Sequence, residues 1–161
     1  MANSVQLDAL LDIVDAMEEI SIANGYATDV ATVVQRFLDW ETGRLDVPLP
    51  AIGVVPGEAR YEEQSVPTAS TSVVRVRTSV SIQYVYAAET QTEVWQSGYE
   101  MADDIIAAVS VDRTRSGNAL TTRIVSVETD AGNADTMDSR GGTAAGIVFL
   151  ELDFWRKLTV S

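Results

Sequence analysis

The sequence predicts an α+β fold, a mainly antiparallel β-sheet with two α-helices packed on one face. Three observations lead there. Residues 4–23 and 90–110 repeat apolar residues at three- and four-residue steps, residues 72–86 largely alternate them with polar ones, and two β-rich stretches, 119–129 and 145–158, flank one loop.

In the first stretch Leu7, Leu10, Leu11, Val14, Met17 and Ile20 form the apolar stripe, with Asp8, Asp12, Asp15, Glu18 and Glu19 largely opposite. Ser4 or Asn3 can cap its start, and Asn24-Gly25 supplies a left-handed stop. The late carboxylates oppose the helix dipole, so this end depends on packing. Residues 30–38, rich in β-branched and aromatic side chains, read as a strand, and Glu41-Thr42-Gly43-Arg44 as a turn. Residues 49–55 lie among Pro48, Pro50 and Pro56, which marks a short strand near a sheet edge because proline removes a ladder donor. Residues 57–70 read as a polar, mobile loop.

The clearest strand is 72–86: Val74, Val76, Val80, Ile82, Tyr84 and Tyr86 face the core, and Arg75, Arg77, Ser79, Ser81 and Gln83 face water. At about 3.3 Å per residue it reaches about 50 Å, so it is expected to bend or to project beyond the sheet. In the second helix Trp95, Tyr99, Ala102, Ile105, Ile106 and Val109 take the inner side and Glu93, Glu100, Asp103 and Asp104 the outer, with Gly98 a weak point. A turn-rich connector carries Arg113 and Arg115. Residues 119–129 and 145–158 are expected to pair antiparallel across a second mobile loop, 130–142. In the last strand Val148, Leu150, Leu152 and Phe154 oppose Glu151, Asp153 and Trp155. No repeat or linker divides residues 1–161, so a single domain is expected.

The inventory excludes much chemistry. With no cysteine and no histidine, disulfides, thiolate zinc sites, thiol nucleophiles and imidazole bases are absent, leaving carboxylates, tyrosines and the single lysine, Lys157. No cofactor and no enzymatic activity are expected. The formal charge of −13, from 24 acidic against 11 basic residues, opposes a nonspecific grip on nucleic acid but suits a wall past which DNA slides. Residues 1–12 lack the features of a secretory leader and no apolar run reaches membrane-span length, so no membrane partner is expected and synthesis in the cytoplasm is.

Candidate sites are few. Asp130, Asn133, Asp135 and Asp138 match a calcium loop only loosely, since no glutamate closes the set. Glu18-Glu19, Glu62-Glu63 and Asp103-Asp104 read as solvated pairs, and Gly141-Gly142-Thr143 lacks a phosphate loop's lysine. Arg75 and Arg77 are expected to pair with Glu151 or Asp153, or else to form a positive strip for an acidic neighbour. With Trp155, which alternation places on a polar face, and with Arg113 and Arg115, they are the candidate subunit or tube contacts.

The order and spacing of these pieces resemble the tail terminator, or tail completion and head-tail joining, proteins of long-tailed bacteriophages. The resemblance spans most of the chain. It rests on the helix ending in Asn24-Gly25-Tyr26-Ala27-Thr28-Asp29, the following Val30-to-Leu38 strand, Leu49-Pro50-Ala51-Ile52 running into Pro56-Gly57-Glu58, the long alternating strand, the helix with Ala107-Ala108-Val109, and the closing Phe149-Leu150-Glu151-Leu152-Asp153-Phe154. It implies a virion structural protein at the head-proximal end of the tail. Copies would assemble as a homo-oligomeric, usually hexameric, ring that caps the tail tube, stops its polymerisation and meets the head-side connector protein, with DNA passing through without specific binding. The alternatives are another head-tail connector or minor tail protein, or, from a different class, a calcium- or small-molecule-binding domain.

Overall fold

The computed structural model describes residues 5–40, 45–63, 71–115, 117, 119, 121–129 and 142–159. In chain order the elements are α1 (Val5–Glu18), a 3-10 turn (Ile22–Asn24), β1 (Thr32–Val34), β2 (Ala51–Glu63), β3 (Thr71–Ala87), α2 (Gln91–Val111), β4 (Thr121–Thr129) and β5 (Thr143–Thr159). The strands form one five-stranded sheet in the order β1-β2-β3-β5-β4. All pairings are antiparallel except the short parallel contact of β1 with β2.

The alternating segment dominates this sheet. It does not project: β5 matches it residue for residue, from Thr71 opposite Thr159 to Ala87 opposite Thr143. Its inner face is the predicted one. Val76, Val80, Ile82 and Tyr84 are fully buried with Val148, Leu150, Leu152 and Phe154 of β5, beneath Ile13 and Met17 of α1 and Met101, Ile105 and Val109 of α2. Each such aliphatic side chain contributes about 1.5–3 kcal/mol, which is what holds both helices on this face.

Several boundaries differ from the sequence reading. The first helix ends at Glu18, without a basic residue in its last turn, and the chain reforms a separate 3-10 turn capped by the Ser21 hydroxyl, which accepts from Asn24 N at 3.2 Å. Gly25, at φ 93°, therefore stops the 3-10 turn instead of α1. Leu7, placed on the inner stripe by its spacing, is 42% exposed. The strand expected at 30–38 shrinks to Thr32–Val34, because the chain then leaves the sheet to cross its outer face.

The strand expected at 49–55 instead runs to Glu63, through Pro56 and Gly57, with a register irregularity between Pro56 and Ala59. Half of the expected loop 57–70 is thus strand, since an irregular pair absorbs the missing proline donor; residues 64–70 lie outside the described residues. So do the 41–44 turn, the Ser4 or Asn3 cap and residues 130–141 with the loose calcium pattern.

The outer face is not uniformly wet. The segment after β1 lays Leu38 on Ala51, Val85 and Ala145, with Val34, Trp40, Leu45, Val47 and Leu49 around them. Gln83 is consequently 6% exposed. Its amide makes two bonds to one residue: Leu38 N donates to Oε1 at 2.6 Å, and Nε2 donates to Leu38 O at 3.2 Å. A polar residue on a predicted wet face is satisfied here by backbone.

Thr90 caps α2, its hydroxyl accepting from Glu93 N at 3.2 Å while the Glu93 carboxylate accepts from Glu89 N at 2.7 Å. Gly98 is the close-packing point of this helix. A Cβ there would come within 2.7 Å of the Tyr86 hydroxyl, which donates to Val94 O at 2.8 Å.

Candidate functional site

The sequence-predicted cluster of charges lies on the outer face of the sheet. Register sets Arg75 opposite Trp155 and Arg77 opposite Asp153, with Glu62 and Arg60 of β2 opposite Arg75 and Arg77. Arg75 Nη2 donates to Asp153 Oδ2 at 3.1 Å. Arg77 places Nε 3.2 Å from Asp153 Oδ1, a charge contact without hydrogen-bond alignment, and Nη1 3.5 Å from Glu62. Of the two expected acceptors, Asp153 is the one that Arg75 and Arg77 share, while Glu151 pairs with Arg123 of β4. Asp153 is 4% exposed although it sits on the polar face, because the two arginines cover it.

This network binds β2, β3 and β5 together. A carboxylate so enclosed would be costly alone and is tolerable between two guanidinium groups. The arginines are partly exposed and already engaged, so they present shape and residual positive charge in place of a free cationic strip. Trp155 stands beside them with 46% of its surface exposed.

The two connector arginines separate. Arg113 is exposed, and its carbonyl accepts from the Thr122 hydroxyl at 2.8 Å. Arg115 is not a surface group: it is 1% exposed, adopts φ 50°, donates from Nη2 to Val109 O at 2.5 Å, and sets Nη1 3.3 Å from Asp12 of α1. Burial pulls its pKa below the usual arginine value, partly offset by Asp12 and then Asp112. The guanidinium ties the end of α2 to α1, so it offers no contact to a partner. Sequence spacing alone does not separate such a residue from its exposed neighbour.

Helix α2 also differs from its expected faces. Asp104 is buried, not solvated, and its carboxylate accepts from Ala27 N at 3.1 Å, Thr28 N at 2.9 Å and the Thr28 hydroxyl at 2.6 Å. Trp95 and Tyr99, expected on the inner side, are 58% and 60% exposed. Ala102, Ile105 and Val109 are buried as expected, and the rest of the buried stripe runs through Val94, Gly98, Met101 and Ala108, with Gly98 admitting Tyr86. An open groove of about 250 Å³ separates the two helices, lined by Asp12, Asp15, Glu19 and Asp112 around Tyr26 and Arg115. Among the described residues no group of three or more acidic side chains is arranged to hold a metal ion, and no helix is long and apolar enough to cross a membrane.

Among the described residues these surfaces present contact chemistry: an ion network, exposed aromatics and open sheet edges. No family model matches the sequence, and no curated protein matches it. Solved structures are similar to it in fold. The chain shares its fold with the PVC sheath/tube terminator of an extracellular contractile injection system, seen by cryo-EM in its extended state, at a TM-score of 0.51 and 14% identity. The likeness covers 93% of this chain and 57% of that longer one, so the chain spans little more than half of its neighbour's length.

Proposed function

We propose that this chain is a tail terminator: a structural subunit whose copies form a ring, of six in the common arrangement, on the finished tail tube of a phage-type particle. The ring stops tube polymerisation and offers its far side to the head-side connector, and DNA passes through its bore. The observation that carries this reading is the fold shared with a sheath/tube terminator across 93% of the chain. The sequence resemblance, carried by the order and spacing of its motifs, supports the same reading. An overall charge of −13 suits a passage for DNA, since it repels phosphates instead of trapping them.

In this role the outer-face arginines, Arg113 and Trp155 serve subunit or tube contacts. The test is reconstitution with growing tail tubes. Tubes given the protein stop elongating and show a cap at one end by electron microscopy; tubes that keep growing without a cap rule the reading out.

A further inference from the structure

The two margins of the sheet differ from its middle. Residues 56–61 of β2 are all exposed, as are residues 125–129 of β4. β1 covers β2 only from Ala51 to Gly53, and β4 is the terminal strand. Among the described residues, then, no strand lies beside either run. Unpaired ladder groups in such runs are a template for another strand.

We propose that the two margins are halves of one interface, in which β4 of one copy pairs antiparallel with β2 of the next. The inference rests on the ring proposed above and assigns its subunit contact. Three features of the sheet fit these edges to each other.

The first is direction. β2, β3, β5 and β4 alternate in sense across the sheet, so β4 runs opposite to β2 and a following copy in the same orientation continues the antiparallel order.

The second is phase. Tyr61 lies in the row Tyr61–Val76–Phe154 and Val127 in the row Val127–Val148–Ile82. Hydrogen-bonded and non-bonded pairs alternate along and across antiparallel strands. Carried through β3 and β5, that alternation gives Tyr61 and Val127 the same state, so they can stand directly opposite each other.

The third is side-chain chemistry. Both rows belong to the helix-bearing face, where Tyr61 is 55% and Val127 38% exposed, so their pairing covers two apolar groups that each copy leaves in water. The same register places Arg60 opposite Glu128 on the outer face. Arg60 is a largely exposed side chain whose contact with Glu58, at 3.4 Å, is between exposed groups and therefore weak. A slip by one residue would put each side chain opposite the wrong face. A slip by two in either direction would bring Glu128 against Glu58 or Glu62. Only the proposed register gives it a cation. The contact is heterologous, the kind that closes a ring.

The chain has no cysteine, which permits a clean cross-linking test. Directly opposed residues have Cα atoms about 4.5–5.5 Å apart, within reach of a disulfide. Oxidation of the double variant Tyr61→Cys/Val127→Cys, assembled on tail tubes, yields a covalent ladder of oligomers, whereas each single variant stops at a dimer. Absence of the ladder overturns the proposal, and so does an equal ladder from Tyr61→Cys/Arg123→Cys, which joins opposite faces. In light scattering, Glu128→Arg and Arg60→Glu each weaken association roughly fivefold, and the double swap restores it; failure to restore refutes the register. Capped tubes without a ladder would sink the edge contact and leave the terminator reading standing. A ladder without capping would do the reverse.

Discussion

The Tyr84 ring lies against Gly146, its direct partner across β3 and β5, in the space that the Cβ of any other residue would occupy. It is stacked with Tyr86, ring centroids 6.0 Å apart. Gly146→Ala therefore forces the phenol out of its site. The expected loss is about 1–3 kcal/mol, the range for overpacking a filled core, read from the urea midpoint. An unchanged midpoint would mean that the ring moves freely.

The Tyr84 hydroxyl is buried and finds no hydrogen-bond partner among the described residues. Its pKa is pushed up to about 12 by burial and then by Tyr99. The neutral form is thus favoured in the folded state. Its contribution to stability is complete below the unfolded tyrosine pKa near 10 and is lost as pH rises towards 12, at up to about 1.4 kcal/mol per pH unit. Tyr84→Phe is expected to change neutral stability by less than about 1 kcal/mol while flattening the decline between pH 10 and 12. By contrast, Tyr86→Phe removes the hydroxyl's bond to Val94 O and costs about 1 kcal/mol at neutral pH. Denaturant titrations at a series of pH values separate the two.

Asp104 fastens the 27–28 segment to α2 through three donors. Asp104→Ala strips these donors of their acceptor and is expected to cost about 2–3 kcal/mol, with Asp104→Asn losing less because one oxygen remains. Hydrogen exchange at the Thr28 amide should speed up in both. Equal protection in wild type and Asp104→Ala would show that the contact adds nothing.

Arg115→Met keeps volume but removes the charge beside Asp12 and the donor to Val109 O. A loss of about 2–4 kcal/mol is expected. Arg115→Lys should recover little, because an ammonium cannot reach the carbonyl and the carboxylate in the guanidinium's geometry. Full recovery in thermal melts would show that charge alone is enough.

Much of this arrangement was legible from side-chain period. The alternation in 72–86 and 145–158 separates the two faces of β3 and β5, although Gln83 and Asp153 on the outer face are buried, and strands 119–129 and 145–158 pair antiparallel as expected. Of the candidate contact residues, Arg75 and Arg77 met Asp153 as one of two expected acceptors, because cross-strand distance follows from register. Arg115 was not separable from Arg113. Burial of a guanidinium depends on where α1 passes, and α1 lies about a hundred residues away in sequence.

Local periodicity was enough to set the α+β class, the element order and the faces of the long strands, since those depend only on which way successive side chains point. Other features belong to contacts between distant segments: the exposure of Trp95 and Tyr99 on α2, the burial of Asp104, Gln83 and Asp153 on sides that read as polar, and the run of β2 through Pro56. A polar group goes inside when a remote backbone or charge arrives to meet it, and no pattern within its own segment records that arrival.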